Sequence, residues 1–164
     1  TGSMRVNQLV TEAVPHLAGI CQLIHLSGKD RPHNAVDRAA RLFPHYRSYQ
    51  FFTSEMKDAY AAAEIIVSRG GFGTLTEIAA LKKPAVLIPK PGHQEENVAF
   101  LARGGGAVVL HEQASTGYHL AGTLKSLIAD RERCRAMGES LALLLPTASD
   151  SDIMDCVRWL TRAG

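Results

Sequence analysis

Short apolar runs alternate along this chain with longer stretches in which apolar residues recur every three or four positions. That alternation is the mark of βαβ units, and it makes a parallel sheet flanked by helices the natural fold. The sharpest case is "EIIVS" (64–68), apolar at nearly every position, as in a strand covered on both faces. Before it come the strands "ICQLIHL" (20–26) and "YRSYQFF" (46–52); after it come "PAVLIPK" (84–90) and "AVVLHE" (107–112). Helices are predicted between them at "HNAVDRAARLF" (33–43), "SEMKDAYAAA" (54–63, with Ser54 as cap), "TLTEIAALKK" (74–83) and "QEENVAFLAR" (94–103). An opening helix carries Val6, Leu9, Val10 and Val14 on one face until Pro15 ends or kinks it. Three helical stretches, 117–130, 131–145 and 151–162, close the chain. The first is read as a peripheral helix with Leu120, Leu124 and Ile128 inward; the last carries Ile153, Val157 and Leu160 at helical spacing, with Trp159 nearby. The expected architecture is α/β, a Rossmann-like open parallel sheet with helices on both faces, built from residues 1–164 as a single domain.

At 164 residues such a chain can bury a core without disulfide or metal staples. The three cysteines, Cys21, Cys134 and Cys156, are far apart and read as reduced, buried thiols. A formal charge of +2 leaves no electrostatic footprint for nucleic acid. No apolar run reaches the ~20 residues of a spanning helix, although contact with a membrane surface stays open.

In open α/β sheets ligands gather beyond the carboxyl ends of the strands. "RGGFGT" (69–74) lies in such a loop, where glycines allow positive φ and close approach of a ligand. The first turn of the following helix then offers free N–H groups to an anion, with a phosphate or diphosphate as natural occupant. The spacing is neither a dinucleotide fingerprint, since Thr76 stands where its third glycine belongs, nor a P-loop. A second reading of the same residues is structural: Thr74 and Glu77 have the T-x-x-E spacing of a capping box. One loop further on, "PGHQEENVAF" (91–100) places Gln94 and Asn97 three apart at a helix start. Their amides could reach sugar hydroxyls together, or the turn could simply be polar, with Glu95 and Glu96 facing the helix dipole. Side by side, the two loops describe a nucleotide-sugar pocket.

With these motifs in hand, the segment from "FFTSEMKDAYAAAEIIVSRGGFGTLTE" to "HQEENVAFL" (51–101) resembles the donor-binding half of MurG-type glycosyltransferases. The resemblance implies the C-terminal Rossmann-like domain of a GT-B enzyme that moves N-acetylglucosamine from UDP-GlcNAc to lipid I, making lipid II for peptidoglycan. It also implies a cytoplasmic protein, peripheral on the inner face of the plasma membrane, that needs no cofactor and no metal. The lipid-linked acceptor and the general base belong to an N-terminal domain outside this chain, so no catalytic residue is assigned here. By the same resemblance Glu77 holds the ribose hydroxyls, the backbone from Phe72 through Gly73 to Thr74 lies against the diphosphate and sugar, and Gly71, Leu75 and Thr76 are counted with them at the donor site. Arg69 occupies the position of an arginine at the donor site. Phe52 matches the position whose backbone pairs with uracil, with Met56 close to the base, and Gln94 matches a glutamine that bonds the sugar, flanked by His93 and Asn97.

The beginning departs from the family pattern, a strand followed by a "GGS-x-G-A" loop and a helix with an early Asn. Gly2, Ser3 and Asn7 are present, but about three residues are missing between Ser3 and Met4, and so is the strand. Residues 1–3 are either a cloning remnant or a partial phosphate loop with Ser3 as ligand. The Asp150-Ser151-Asp152 triplet resembles a metal motif of other glycosyltransferases but is better explained as a helix cap, and the histidines show no zinc spacing. Two alternatives stay open: half of a UDP-GlcNAc epimerase, and a stand-alone nucleotide-sugar module or recruiting subunit.

Overall fold

A computed structural model of the chain describes residues 3–29, 34–147, 151, 154 and 158, with the side chain of Asn97 excepted. Strand β1 (Leu23–Leu26) pairs in parallel with β2 (Tyr46–Tyr49). Strands β3 (Ile66–Ser68), β4 (Ala85–Leu87) and β5 (Ala107–Val109) form a second parallel ladder in that order. Each crossover inside a ladder carries a helix: α2 (Asn34–Leu42), α4 (Phe72–Ala80) and α5 (His93–Arg103). Helix α1 (Met4–Ala13) opens the chain, and Pro15 converts its end into a 3-10 turn over Val14–Leu17, as expected of a residue without an N–H. Helices α3 (Met56–Ala62), α6 (Gly117–Ala129) and α7 (Arg131–Leu144) complete the described elements. The motif at Asp150–Asp152, the apolar positions Ile153, Val157, Trp159 and Leu160, Cys156 and Gly2 lie outside the described residues, Ser151 apart.

The parallel α/β architecture is as expected, but hydrogen bonding divides it. Among the described residues β1 bonds only β2, and β3 bonds only β4 on its one paired side. Side chains from α1 span the seam at the carboxyl ends of the strands. Asn7 donates Nδ2 to the carbonyl of Ser27, just past β1 (2.9 Å), and Arg69, just past β3, donates to the hydroxyl of Ser3. The two ladders share one apolar cluster, in which Leu9, Val14 and Leu17 meet Val36, Tyr46, Val86, Leu120 and Leu127.

Period-two alternation explains why β4 is the most buried strand. Val86 and Ile88 point into the first cluster, whereas Ala85 and Leu87 point into a second with Leu75, Ile78, Val98 and Leu101. All four are fully buried. The run expected to be covered on both faces, β3, is only half-buried, and among the described residues it ends its ladder with no strand bonded to its outer side. Helix α6 is likewise central rather than peripheral: Leu120, Ala121, Leu124 and Leu127 are buried, with Leu127 taking the inward place expected of Ile128. Cys21 and Cys134 are free but half-buried, less enclosed than expected.

A buried polar chain fixes α1 to β1. His25 meets Tyr46 Oη at 2.6 Å through Nδ1 and Asn7 Oδ1 at 3.0 Å through Nε2. The Asn7 oxygen can only accept, so Nε2 carries the proton and Nδ1 accepts from the tyrosine. Burial pushes the His25 pKa from 6.5 down to about 4. The unfolded chain binds this proton near pH 6.5 and the folded chain only near 4, so stability is fully present above 6.5 and falls as pH drops through that window. The expected loss is about 3 kcal/mol. Urea unfolding between pH 7.5 and 4.5 checks it: the slope between 6.5 and 5, above most carboxylates, should flatten in His25→Gln.

Candidate functional site

The glycine loop joins β3 to α4, and its geometry decides between the two readings of "TLTE". The helix starts at Phe72, with Gly71 as its cap in extended conformation and no side chain capping it. Thr74 is therefore inside the first turn, and Glu77 turns away: its Oε2 accepts from Tyr60 Oη at 2.8 Å. The capping-box alternative is overturned, because the glycines let the helix begin three residues earlier than a threonine cap would. Thr76 folds its hydroxyl back to the Gly73 carbonyl (2.8 Å), and Leu75 is buried in the second cluster, so neither side chain faces the loop's open side.

What the loop exposes is backbone. Gly70 makes the turn at φ +78°, packed so closely on α5 that an added Cβ would stand 2.6 Å from Val98 Cγ1. Beyond it the loop opens: nothing stands within 4 Å of where a side chain at Gly71 or Gly73 would begin. The first backbone bond of α4 is donated by Leu75 to Gly71 (2.9 Å), which leaves the amides of Phe72, Gly73 and Thr74 ahead of the ladder. Three donors at the positive end of a helix dipole, unobstructed in front, form a seat for an anion. Phe72 stands 73% exposed beside them.

Arg69 is next to this seat. Its guanidinium pairs with Glu112 beyond β5 and donates to Ser3 Oγ, which also caps α1 by accepting from Val6 N at 3.3 Å. The structure thus brings together Ser3 and Arg69, 66 residues apart. Glu112 and Arg5 carried no sequence signal beyond their place near strand and helix ends. Arg5 donates to the carbonyls of Glu112 (3.1 Å) and Ser115 (2.7 Å), binding the β5–α6 loop to α1. An open hollow on the far side of that loop, lined by Leu110, His111, Tyr118 and His119, is separate from the glycine loop.

In the next loop, Gly92 caps α5 at φ +101°, and Glu95 Oε2 accepts from the Gly92 amide at 3.4 Å. Glu95 thus serves the helix start, as the structural alternative had it. Gln94 accepts from Lys90 N (3.0 Å), which fixes its carboxamide and leaves the NH2 to donate. His93 is exposed at the first position of α5; Asn97 lies in the same helix, its side chain outside the described residues. On the other ladder, β2 runs out into Tyr49 and Phe52, whose rings lie 4.8 Å apart. The backbone N–H and C=O of Phe52 make no intramolecular hydrogen bond among the described residues. Met56 opens α3 four residues later. Among the described residues no group of three or more His, Cys, Asp or Glu could hold a metal ion, and no helix is long and apolar enough to cross a membrane.

Residues 1–152 match the family described as glycosyltransferase family 28 C-terminal domain. Among curated proteins the chain is 34% identical, over 91% of its length, to a protein of Nocardioides sp. named UDP-N-acetylglucosamine--N-acetylmuramyl-(pentapeptide) pyrophosphoryl-undecaprenol N-acetylglucosamine transferase. A protein of Anaeromyxobacter sp. with the same name is 32% identical over 98% of the chain. The chain spans only 42% and 44% of these two relatives. Among solved structures it superimposes on MurG of Acinetobacter baumannii with a TM-score of 0.72 at 23% identity, covering 87% of this chain and 42% of that one. The glycosyltransferase VinC in complex with dTDP gives 0.71 at 22% identity, covering 93% and 37%. Both structural likenesses bear on the fold.

Proposed function

The chain belongs to the glycosyltransferase family 28 C-terminal domain, and from that premise we propose that residues 1–164 are one UDP-sugar-binding domain, the donor half of an N-acetylglucosamine transferase. The donor is UDP-GlcNAc, and the acceptor is a lipid-linked muramyl-pentapeptide, lipid I, converted to lipid II. The observation that carries this reading is the open row of amides at Phe72, Gly73 and Thr74, with Arg69 and Ser3 beside it. They receive the diphosphate. Glu77 accepts the ribose hydroxyls, the unpaired backbone of Phe52 pairs with uracil near Met56, and Gln94 donates its NH2 to the sugar, with His93 and Asn97 at its flanks.

The chemistry is transfer with inversion at C1. The acceptor hydroxyl, deprotonated by a base in the other half of the protein, attacks the anomeric carbon as the bond to UDP breaks. This half holds the donor and meets the charge developing on the departing diphosphate with fixed dipoles and the Arg69 guanidinium. The intact protein works on the inner face of the plasma membrane, where its acceptor is anchored.

Calorimetric titration of the intact protein with UDP-GlcNAc, UDP-glucose, UDP and ADP tests the reading. UDP-GlcNAc and UDP should bind, with ADP far weaker; equal affinity for ADP overturns it. Product analysis separates transfer from epimerisation. Glu77→Ala should weaken UDP by about 1–3 kcal/mol, the usual cost of losing a charged hydrogen-bond partner, and unchanged affinity would remove Glu77 from the ribose site.

A further inference from the structure

Tyr60 carries none of the donor contacts proposed for this domain. It stands in the second turn of α3, half-buried, with its ring packed against the second apolar cluster. Its hydroxyl donates to Glu77 Oε2 at 2.8 Å. Glu77 lies on the exposed face of α4, where an unrestrained glutamate samples several rotamers. The tyrosine removes that freedom. Burial and the adjacent carboxylate push the Tyr60 hydroxyl well above its ordinary range, so it is a donor at every working pH. One carboxylate oxygen is held, and Oε1 has no partner among the described residues. Together Oε1 and the remaining lone pair of Oε2 suit two O–H donors on adjacent carbons.

Resting on the ribose reading of Glu77, we propose that Tyr60 is a positioning residue that aims the Glu77 carboxylate at the 2′- and 3′-hydroxyls of a ribonucleotide. Preference for ribose over 2′-deoxyribose is then a property of the pair, not of the glutamate alone. Helix α3 also carries Met56 at its start, so one helix serves both the base side and the ribose side of the site.

The test is titration of the intact protein with UDP and with 2′-deoxy-UDP, for the wild type, Tyr60→Phe and Glu77→Gln. The wild type should prefer UDP. Tyr60→Phe removes one hydroxyl and should weaken UDP roughly fivefold to tenfold, weaken 2′-deoxy-UDP, which keeps only the 3′-hydroxyl, by clearly less, and leave Tm unchanged, so that the preference narrows toward that of Glu77→Gln. A Tyr60→Phe protein with the wild-type preference overturns the proposal, and so does equal weakening of both ligands, which is what a purely structural role would give. A wild type that binds both ligands alike overturns the ribose reading of Glu77 itself, and the two failures are therefore distinct.

Discussion

Replacing Arg69 with alanine is expected to lower kcat for sugar transfer by the intact protein about 10²–10³-fold, with a much smaller change in donor KM. The magnitude is that of removing one preorganised donor aimed at developing charge. Arg69 has the attributes for that role. It sits at the carboxyl end of β3, beside the open amides, and Glu112 and Ser3 fix its guanidinium before any ligand arrives. Arg69→Lys should restore little, since an ammonium cannot keep both contacts in the planar geometry of the original. The variant also leaves Glu112, only 16% exposed, without its partner, and this charge would repel an incoming diphosphate. The double variant Arg69→Ala, Glu112→Gln separates the effects: it should recover donor affinity but not kcat. An unchanged kcat in Arg69→Ala would take the residue out of the chemistry altogether.

The second large effect concerns folding. Gly70→Ala should destabilise the protein by about 2–5 kcal/mol, from a left-handed backbone costing ~1–2 and an overpacked contact costing ~1–3. The residue is held at φ +78°, and its Cβ would meet Val98 Cγ1 at 2.6 Å. Chemical denaturation of Gly70→Ala, Val98→Ala and the double variant resolves the two parts. Val98→Ala should relieve the contact but not the backbone strain, giving a favourable coupling together with a residual loss. A loss under about 1 kcal/mol in the single Gly70→Ala variant would mean that the loop can rearrange, and then it could not present a fixed row of amides.

The order of strands and helices was legible because apolar runs and amphipathic stretches separate cleanly, most of all at β4, which is buried on both faces. Boundaries were less so. The T-x-x-E spacing of Thr74 and Glu77 points to a helix capped by Thr74, yet Gly71 takes the cap and the helix begins at Phe72, and Glu77 finds Tyr60 instead. Ser54 is a similar case: α3 starts after Glu55, whose carboxylate accepts from Thr53 N at 3.1 Å, so no serine cap forms. Local spacing cannot weigh such rivals, because the winning partner comes from another element. The same holds for the Asn7–His25–Tyr46 chain and for Glu112, which are assembled by tertiary contact alone. The carboxyl-end loops at 69–74 and 91–97 could be picked out by their glycines and polar helix starts, but that Ser3 joins Arg69 beside the first of them could be inferred only through the family resemblance.

The division of the strands into two ladders bears on how stiff the candidate site is. The side proposed for the base, at Phe52, hangs from the β1–β2 ladder, and the side proposed for the anion and sugar, at Arg69 and Gln94, hangs from β3–β5. Among the described residues no main-chain bond ties the ladders, so the gap between the two sides is governed by shared packing and by polar side chains on α1 and at its cap. A nucleotide grasped at both ends would act as a crosslink across that compliant joint. Its binding energy would then register as resistance of the whole sheet to unfolding, growing with ligand concentration.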